Sequence, residues 1–140
     1  GQHLWCVFVG FFLTMALGAK PEKALNYICS VFAGYFWAFL YMSMDSWLAS
    51  LLGLPISLCP VLSEFLLTAS LLFIHLKPLA GTRVNTLPAI FAAIATTYGS
   101  GSLTRMPYCA ASVLIGIGMA YGTGWAVSRM TCRRRKGEAD

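Results

Sequence analysis

The residue most able to do chemistry is a carboxylate in an unexpected place. Glu64 lies within the run Ile56 to Leu76, which is otherwise largely apolar. At about 100° per residue, Ser57 and His75 each fall about 20° from Glu64 around a helix and Thr68 about 40°, a shared wedge of roughly 40°. Ser63 and Ser70 lie elsewhere on the circle. An ionisable group at membrane depth is expensive, so by default it marks a site. Two uses fit it. Glu64 is either a proton- or cation-responsive group beside a pathway, or a protonated carboxyl bonded to a neighbouring helix. His75, near the end of the same stripe and beside Lys77, reads as an interfacial polar residue or as a relay.

A second group is Asn85, Thr86 and Pro88 in the short segment Val84 to Ser100. Pro88 cannot donate a backbone hydrogen bond, so it either starts a helix or frees a carbonyl within one. Beyond it, Thr96 to Ser102 is poor in apolar mass. Irregular backbone at membrane depth is tolerated only where it is buried or faces a water-filled cavity. A short, Pro/Gly-interrupted segment therefore points to a binding site in transporters, the alternative being a tilted helix ending in a Gly-Ser loop. The third group is a ladder of small residues: Ser112, Gly116, Ala120 and Gly124, with Gly118 and Gly122 alongside. Such a surface lets helix backbones approach closely, within a subunit or between subunits.

Other chemistries find little footing. The five cysteines, Cys6, Cys29, Cys59, Cys109 and Cys132, show no CxxC spacing and no matching histidine pair, so they read as small apolar fillers, with no metal or cofactor implied. The two histidines, His3 and His75, stand far apart, and no phosphate-binding glycine loop is present. The sequence does not read as an enzyme. The net charge of +5 is concentrated in Arg133, Arg134, Arg135 and Lys136, directly behind an apolar span. That is a topology signal and a contact for anionic headgroups rather than a nucleic-acid surface.

The elements that must position these residues follow from composition. The chain is 58% hydrophobic and 11% charged, with a mean hydropathy of +0.70. Soluble domains average about 25% charged residues. An all-α, polytopic transmembrane helical bundle is expected, with a helical domain over 1–130 and a basic cytoplasmic tail over 131–140. Five segments emerge: Leu4 to Ala19, Ala24 to Met44 (closed by Asp45), Ile56 to Leu76, the Pro-interrupted Val84 to Ser100, and Tyr108 to Met130. An amphipathic linker, Ser46 to Pro55, precedes the third. Spanning roughly 30 Å of hydrocarbon takes about 20 residues, so the first and fourth are short.

Five crossings with the C-terminus inside put Lys20, Lys23, Lys77, Arg83, Arg129 and the terminal block on the cytoplasmic side, against Arg105 alone outside. That split follows the positive-inside rule. Twelve Leu, Ile, Phe and Val residues in the third segment return roughly 4–7 kcal/mol of insertion energy, against about 2.5–3.5 kcal/mol for the charge. The segment inserts with Glu64 in it. Gly1 opens the sequence without methionine, as in a processed, trimmed or excerpted chain, and the first apolar run lacks the basic lead of a signal peptide.

Several stretches resemble an uncharacterised family of small bacterial inner-membrane proteins, the YcdZ-like group. They are Trp5 with Gly10-Phe11, Trp37-Ala38, Leu87-Pro88 leading into Phe91 to Thr96, Pro107, and Leu114 to Gly122. The resemblance covers most of the chain. It implies a further span upstream, with both termini then cytoplasmic, and it brings no established activity. Glu64 matches none of its motifs. Together these readings predict a small-solute channel or transporter in the inner (plasma) membrane, homo-oligomeric and in contact with lipid and a small solute or ion. The rival is a non-transporting accessory subunit of a larger membrane complex.

Overall fold

The computed structural model describes residues 4–53 and 59–137, with side chains described for 4–53 and 61–131. Among the described residues five α-helices follow one another: α1 (Leu4–Ala16), α2 (Ala24–Leu52), α3 (Cys59–Leu76), α4 (Leu87–Ser100) and α5 (Met106–Gly137). Short 3-10 turns lead into α2 (Pro21–Lys23) and α5 (Leu103–Arg105). The described residues contain no strand, so the all-α expectation holds. Two helical stretches, Pro21–Leu52 and Leu103–Thr131, are long and apolar enough to cross a membrane; Leu4–Ala16, Val61–Leu76 and Leu87–Ser100 are shorter apolar helices.

Three boundaries depart from the sequence reading. Asp45 does not close the second helix, because its carboxylate is bonded to neighbouring helices; α2 runs on through the expected linker to Leu52. Pro88 does not interrupt the fourth segment. It sits in the first turn of α4, where a missing N–H costs nothing, so the helix starts there. The polar stretch that follows is not irregular either: Thr96 and Thr97 return their hydroxyls to the Ala93 carbonyl, and the helix continues to Ser100. The fifth helix likewise passes residue 131 and continues to Gly137. Helix α1 ends in a left-handed residue, Gly18 at φ 85°, with Ala19 N–H reaching the Thr14 carbonyl and Gly18 N–H the Met15 carbonyl, a Schellman cap that glycine accommodates without strain.

The two closest helix pairs are not neighbours in sequence. Helices α1 and α5 run parallel, Cys6 lying in one core cluster with Cys109 while Gly10 meets Val113 and Val7 meets Gly116. Helices α2 and α4 are also parallel, with Ser30 bonded to Thr86, Gly34 against Ile90 and Ala93, and Tyr35 bonded to Thr96. The first pair touches the second through the α1–α4 contact of Trp5 with Gly99, and α3 lies against α2 in antiparallel sense. A Cβ added at Gly10 would stand 2.2 Å from the Val113 carbonyl oxygen, one at Gly116 2.1 Å from that of Val7, and one at Gly34 2.4 Å from that of Ile90. Backbones therefore touch at both parallel pairs, the use of small residues expected where lipid is as apolar as the side chains.

One end of the bundle gathers the α1–α2 connection and the α3–α4 loop, with Lys20, Lys23, Lys77 and Arg83; it is called the basic end below. Gly116→Ala is expected to destabilise the fold by about 1–3 kcal/mol through overpacking. Gly122→Ala, with nothing within 4 Å of its new methyl, should change it by less than about 0.5 kcal/mol. Thermal unfolding of the detergent-solubilised chain checks both, and equal shifts would contradict this packing.

Candidate functional site

The α2–α3 seam is built from residues four apart on each helix. Trp37, Tyr41 and Asp45 project from α2, and Ser63, Leu67, Leu71 and His75 are the buried residues facing them from α3. Ridges of residues four apart interdigitate best when helices cross, so the contact column winds around α3 as it descends. The wedge read from the sequence assumed a column parallel to the axis. At the level of Glu64 the contacting residue is Ser63, about 100° away around the helix, and Glu64 is left exposed at the edge.

Two polar clusters result. Toward the end opposite the basic one, Asp45 accepts a hydrogen bond from Ser63 on Oδ1 and from the Tyr98 hydroxyl on Oδ2, the latter at 3.1 Å. Beside it the hydroxyls of Tyr41 and Thr68 share a hydrogen bond of 2.6 Å, and the rings of Tyr41 and Tyr98 meet edge to face at 6.4 Å. Glu64 adds a second carboxylate within electrostatic reach of both tyrosines. Asp45 thus joins three helices. The sequence reading missed it, together with Tyr41, Ser63 and Tyr98. The available signal was the spacing of Trp37, Tyr41 and Asp45, which repeats the polar spacing on α3.

Toward the basic end, Trp37 Nε1 donates to His75 Nε2 at 3.2 Å, which leaves the proton of the neutral ring on Nδ1. His75 is 1% exposed; its Nδ1 has no hydrogen-bond partner, although the Val84 backbone interacts with the ring. Leu67, Leu71, Ile90 and Ile94 pack with Trp37 and Tyr41 and separate the two clusters with apolar mass.

The second predicted group lies at the basic end. A cavity of about 460 Å³ opens there, with Lys23, Asn26, Tyr27, Thr82, Asn85 and Thr86 as its polar lining and Leu76, Leu87 and Pro88 among its apolar walls. Asn85 Nδ2 donates to the Ala80 carbonyl at 2.8 Å, while Oδ1 is shielded and unpartnered. Ser30 ties this loop to α2, accepting from Thr86 N–H at 3.0 Å and donating to the Arg83 carbonyl at 3.4 Å.

The structure therefore brings Thr68 and His75 into one seam, sets Glu64 at its rim, and places Asn85, Thr86 and Pro88 on a cavity beyond its basic end. Ser57 lies outside the described residues. The third group divides. Gly116 and Ala120 are buried and Ser112 half-buried, with Gly116 pressed on α1, while Gly118, Gly122 and Gly124 face open space.

Combining Tyr41→Phe with Thr68→Val should reveal a coupling of about 0.6–2 kcal/mol in the unfolding free energy, as for other hydroxyl pairs between helices. Tyr41→Phe with the surface change Thr123→Val should be additive within about 0.5 kcal/mol. A double-mutant cycle by denaturant titration in mixed micelles measures both.

A family model described as "Protein of unknown function (DUF1097)" matches residues 2–131. No curated protein and no solved structure matches. The chain belongs to the DUF1097 family. That match supports the expected membership of a family of unknown function without extending to the YcdZ-like name or to a bacterial inner-membrane origin.

Proposed function

We propose that this member of the DUF1097 family is a multi-pass protein of the plasma membrane, in bacteria the inner membrane, and that it acts as a small-solute channel or transporter. On this reading all five helices cross the bilayer, the basic end faces the cytoplasm with the C-terminus, and the Asp45 cluster lies toward the outer surface. Two long apolar helices and the nine-to-one division of basic residues support the orientation. Helix α4, about 21 Å long at its 14 residues, crosses only where the bilayer thins or polar ends reach inward. The YcdZ-like resemblance agrees with this placement.

The observation that carries the transport reading is the pair of carboxylates on one face of the bundle. A helix bundle held together by apolar packing has no need of Asp45 and Glu64 within reach of the same tyrosine, Tyr98. Together with Tyr41, Ser63 and Thr68 they form a polar cluster at the outer level, and the cavity beside Lys23 and Asn85 lies at the inner level. The apolar layer of Leu71, Ile90 and Ile94 between them serves as the closed barrier that alternating access requires. Glu64 then responds to a proton or cation, and the chain is a conduit rather than a catalyst, assembled with further copies of itself around the exposed rim of α3.

The second reading is a non-transporting accessory subunit. The open ridge of Gly118 and Gly122, one turn apart, favours it, because a helix face without side chains is suited to a partner helix. Flux through proteoliposomes separates the two. Uptake of small solutes that falls to the level of empty vesicles in both Glu64→Gln and Asp45→Asn supports transport. Unchanged flux in those variants, with loss of assembly in Gly118→Leu and Gly122→Leu, supports the subunit and excludes the conduit.

A further inference from the structure

Five cysteines scattered through the sequence suggest no site, yet the fold brings two of them together. Cys6 lies one helical turn before Gly10 on α1, and Cys109 one turn before Val113 on α5. Gly10 and Val113 are in backbone contact, so the two cysteines hold matching positions on parallel helices at the tightest crossing in the bundle. Both are fully buried, both belong to one core cluster, and their thiols are hydrogen-bonded to each other. A disulfide needs two Cβ atoms at close range with their sulfurs turned toward one another, and matching positions on helices whose backbones touch, with the two thiols interacting, bring the pair toward that geometry.

Their position along the bundle adds a second argument. Cys6 falls in the first turn of α1 and Cys109 in the first turn of α5, both at the end remote from Lys20, Lys23, Lys77 and Arg83. With the basic end in the cytoplasm, this end faces an oxidising compartment, where disulfides form and persist. Cys29, by contrast, lies on α2 near the basic end and is only half-buried.

We infer that Cys6 and Cys109 are a redox pair that closes to a disulfide and staples α1 to α5 at the outer end of the bundle. This inference rests on the orientation proposed above. The oxidant is a protein or small-molecule disulfide from the outer compartment. One cysteine, as its thiolate, attacks that disulfide, giving a mixed disulfide and releasing one thiol. The other cysteine then attacks its partner's sulfur in the mixed disulfide, closing the Cys6–Cys109 bond and releasing the second thiol. Two cysteine thiols are oxidised and one disulfide is reduced to two thiols. Because both sulfurs are buried, the first attack requires the opening turn of α1 to loosen, so closure is slow and, once made, the bond is shielded from reductant.

The full chain, produced in membranes and quenched with acid, tests this by alkylation in denaturant followed by peptide mass mapping. The expected result is a Cys6–Cys109 linked peptide lighter by two hydrogen atoms than the reduced pair, with Cys29 alkylated. Cys6→Ser should leave Cys109 alkylated, and Cys109→Ser the reverse, while Cys29→Ser preserves the link. If both thiols are alkylated as made, the purified chain is exposed in detergent to oxidised glutathione. Closure at that stage supports the pairing and moves the failure to the orientation, which an impermeant maleimide on a cysteine introduced at Thr104 of a cysteine-free chain reads separately. Both cysteines still alkylated after that exposure overturns the inference.

Discussion

Backbone contact at Gly10, Gly34 and Gly116 is the constraint on which the rest of the bundle depends. Each glycine removes the one carbon that would hold two helices apart, and a neighbouring carbonyl occupies that space. Close packing at these glycines, and the hydrogen bonds it permits, hold the helices at short range. The contacts select partners that the order of the chain would not: α1 lies with α5 and α2 with α4, in parallel rather than hairpin fashion. With α2 and α4 in register, Tyr98 reaches Asp45, and the α3–α4 loop is tied to Ser30. Cys6 and Cys109 face one another for the same reason on the other pair.

Around these contacts the polar groups are arranged by depth. Thr14, Thr97 and Ser100 are buried and give their hydroxyls to carbonyls of their own helices, which satisfies them without a partner helix, while Thr96 does so and also bonds Tyr35 of α2. Tyr41, Asp45, Ser63 and Tyr98 instead bond across helices and hold α3 to the α2–α4 pair. Helix α3 has no glycine contact to fix it, so this polar seam and the Leu67–Leu71 packing are its attachment. A carboxylate at such a joint has two consequences. It is a strong acceptor for two hydroxyls, and any change in its charge alters the bonds that hold a peripheral helix in place.

Much of the candidate site was legible in the chain, but with a systematic offset. The polar stripe on the third segment was identified, and Thr68 and His75 do face α2. Glu64 was placed at its centre because a helical wheel projects every residue down a straight axis. Crossing helices meet along an inclined ridge, so the column through Ser63 is the buried one at that depth. Asp45 was read as a span terminator because a charge at the end of an apolar run usually is one. Its partners, Ser63 and Tyr98, come from other helices, and nothing local to α2 announces them. Pro88 has two meanings in the sequence, and the bond from Thr86 N–H to Ser30 Oγ fixes the loop just ahead of the helix that Pro88 begins.

Composition and periodicity determined that the chain is a bundle of about five apolar helices with its basic residues collected toward one end. These are properties of single segments, and hydrophobic length and charge counting read them directly. The small-residue ladder on α5 was equally visible, but its division was not. Gly116 and Ala120 close on the bundle, while Gly118 and Gly122 remain open because they lie on the other side of α5, and Gly124, on the ladder's own side, is open because it lies past the end of α1. Which residues of different segments meet, Asp45 with Tyr98, Trp37 with His75, Cys6 with Cys109, was decided by tertiary structure alone. The register between two helices is set by where their backbones can touch, and that depends on both surfaces at once.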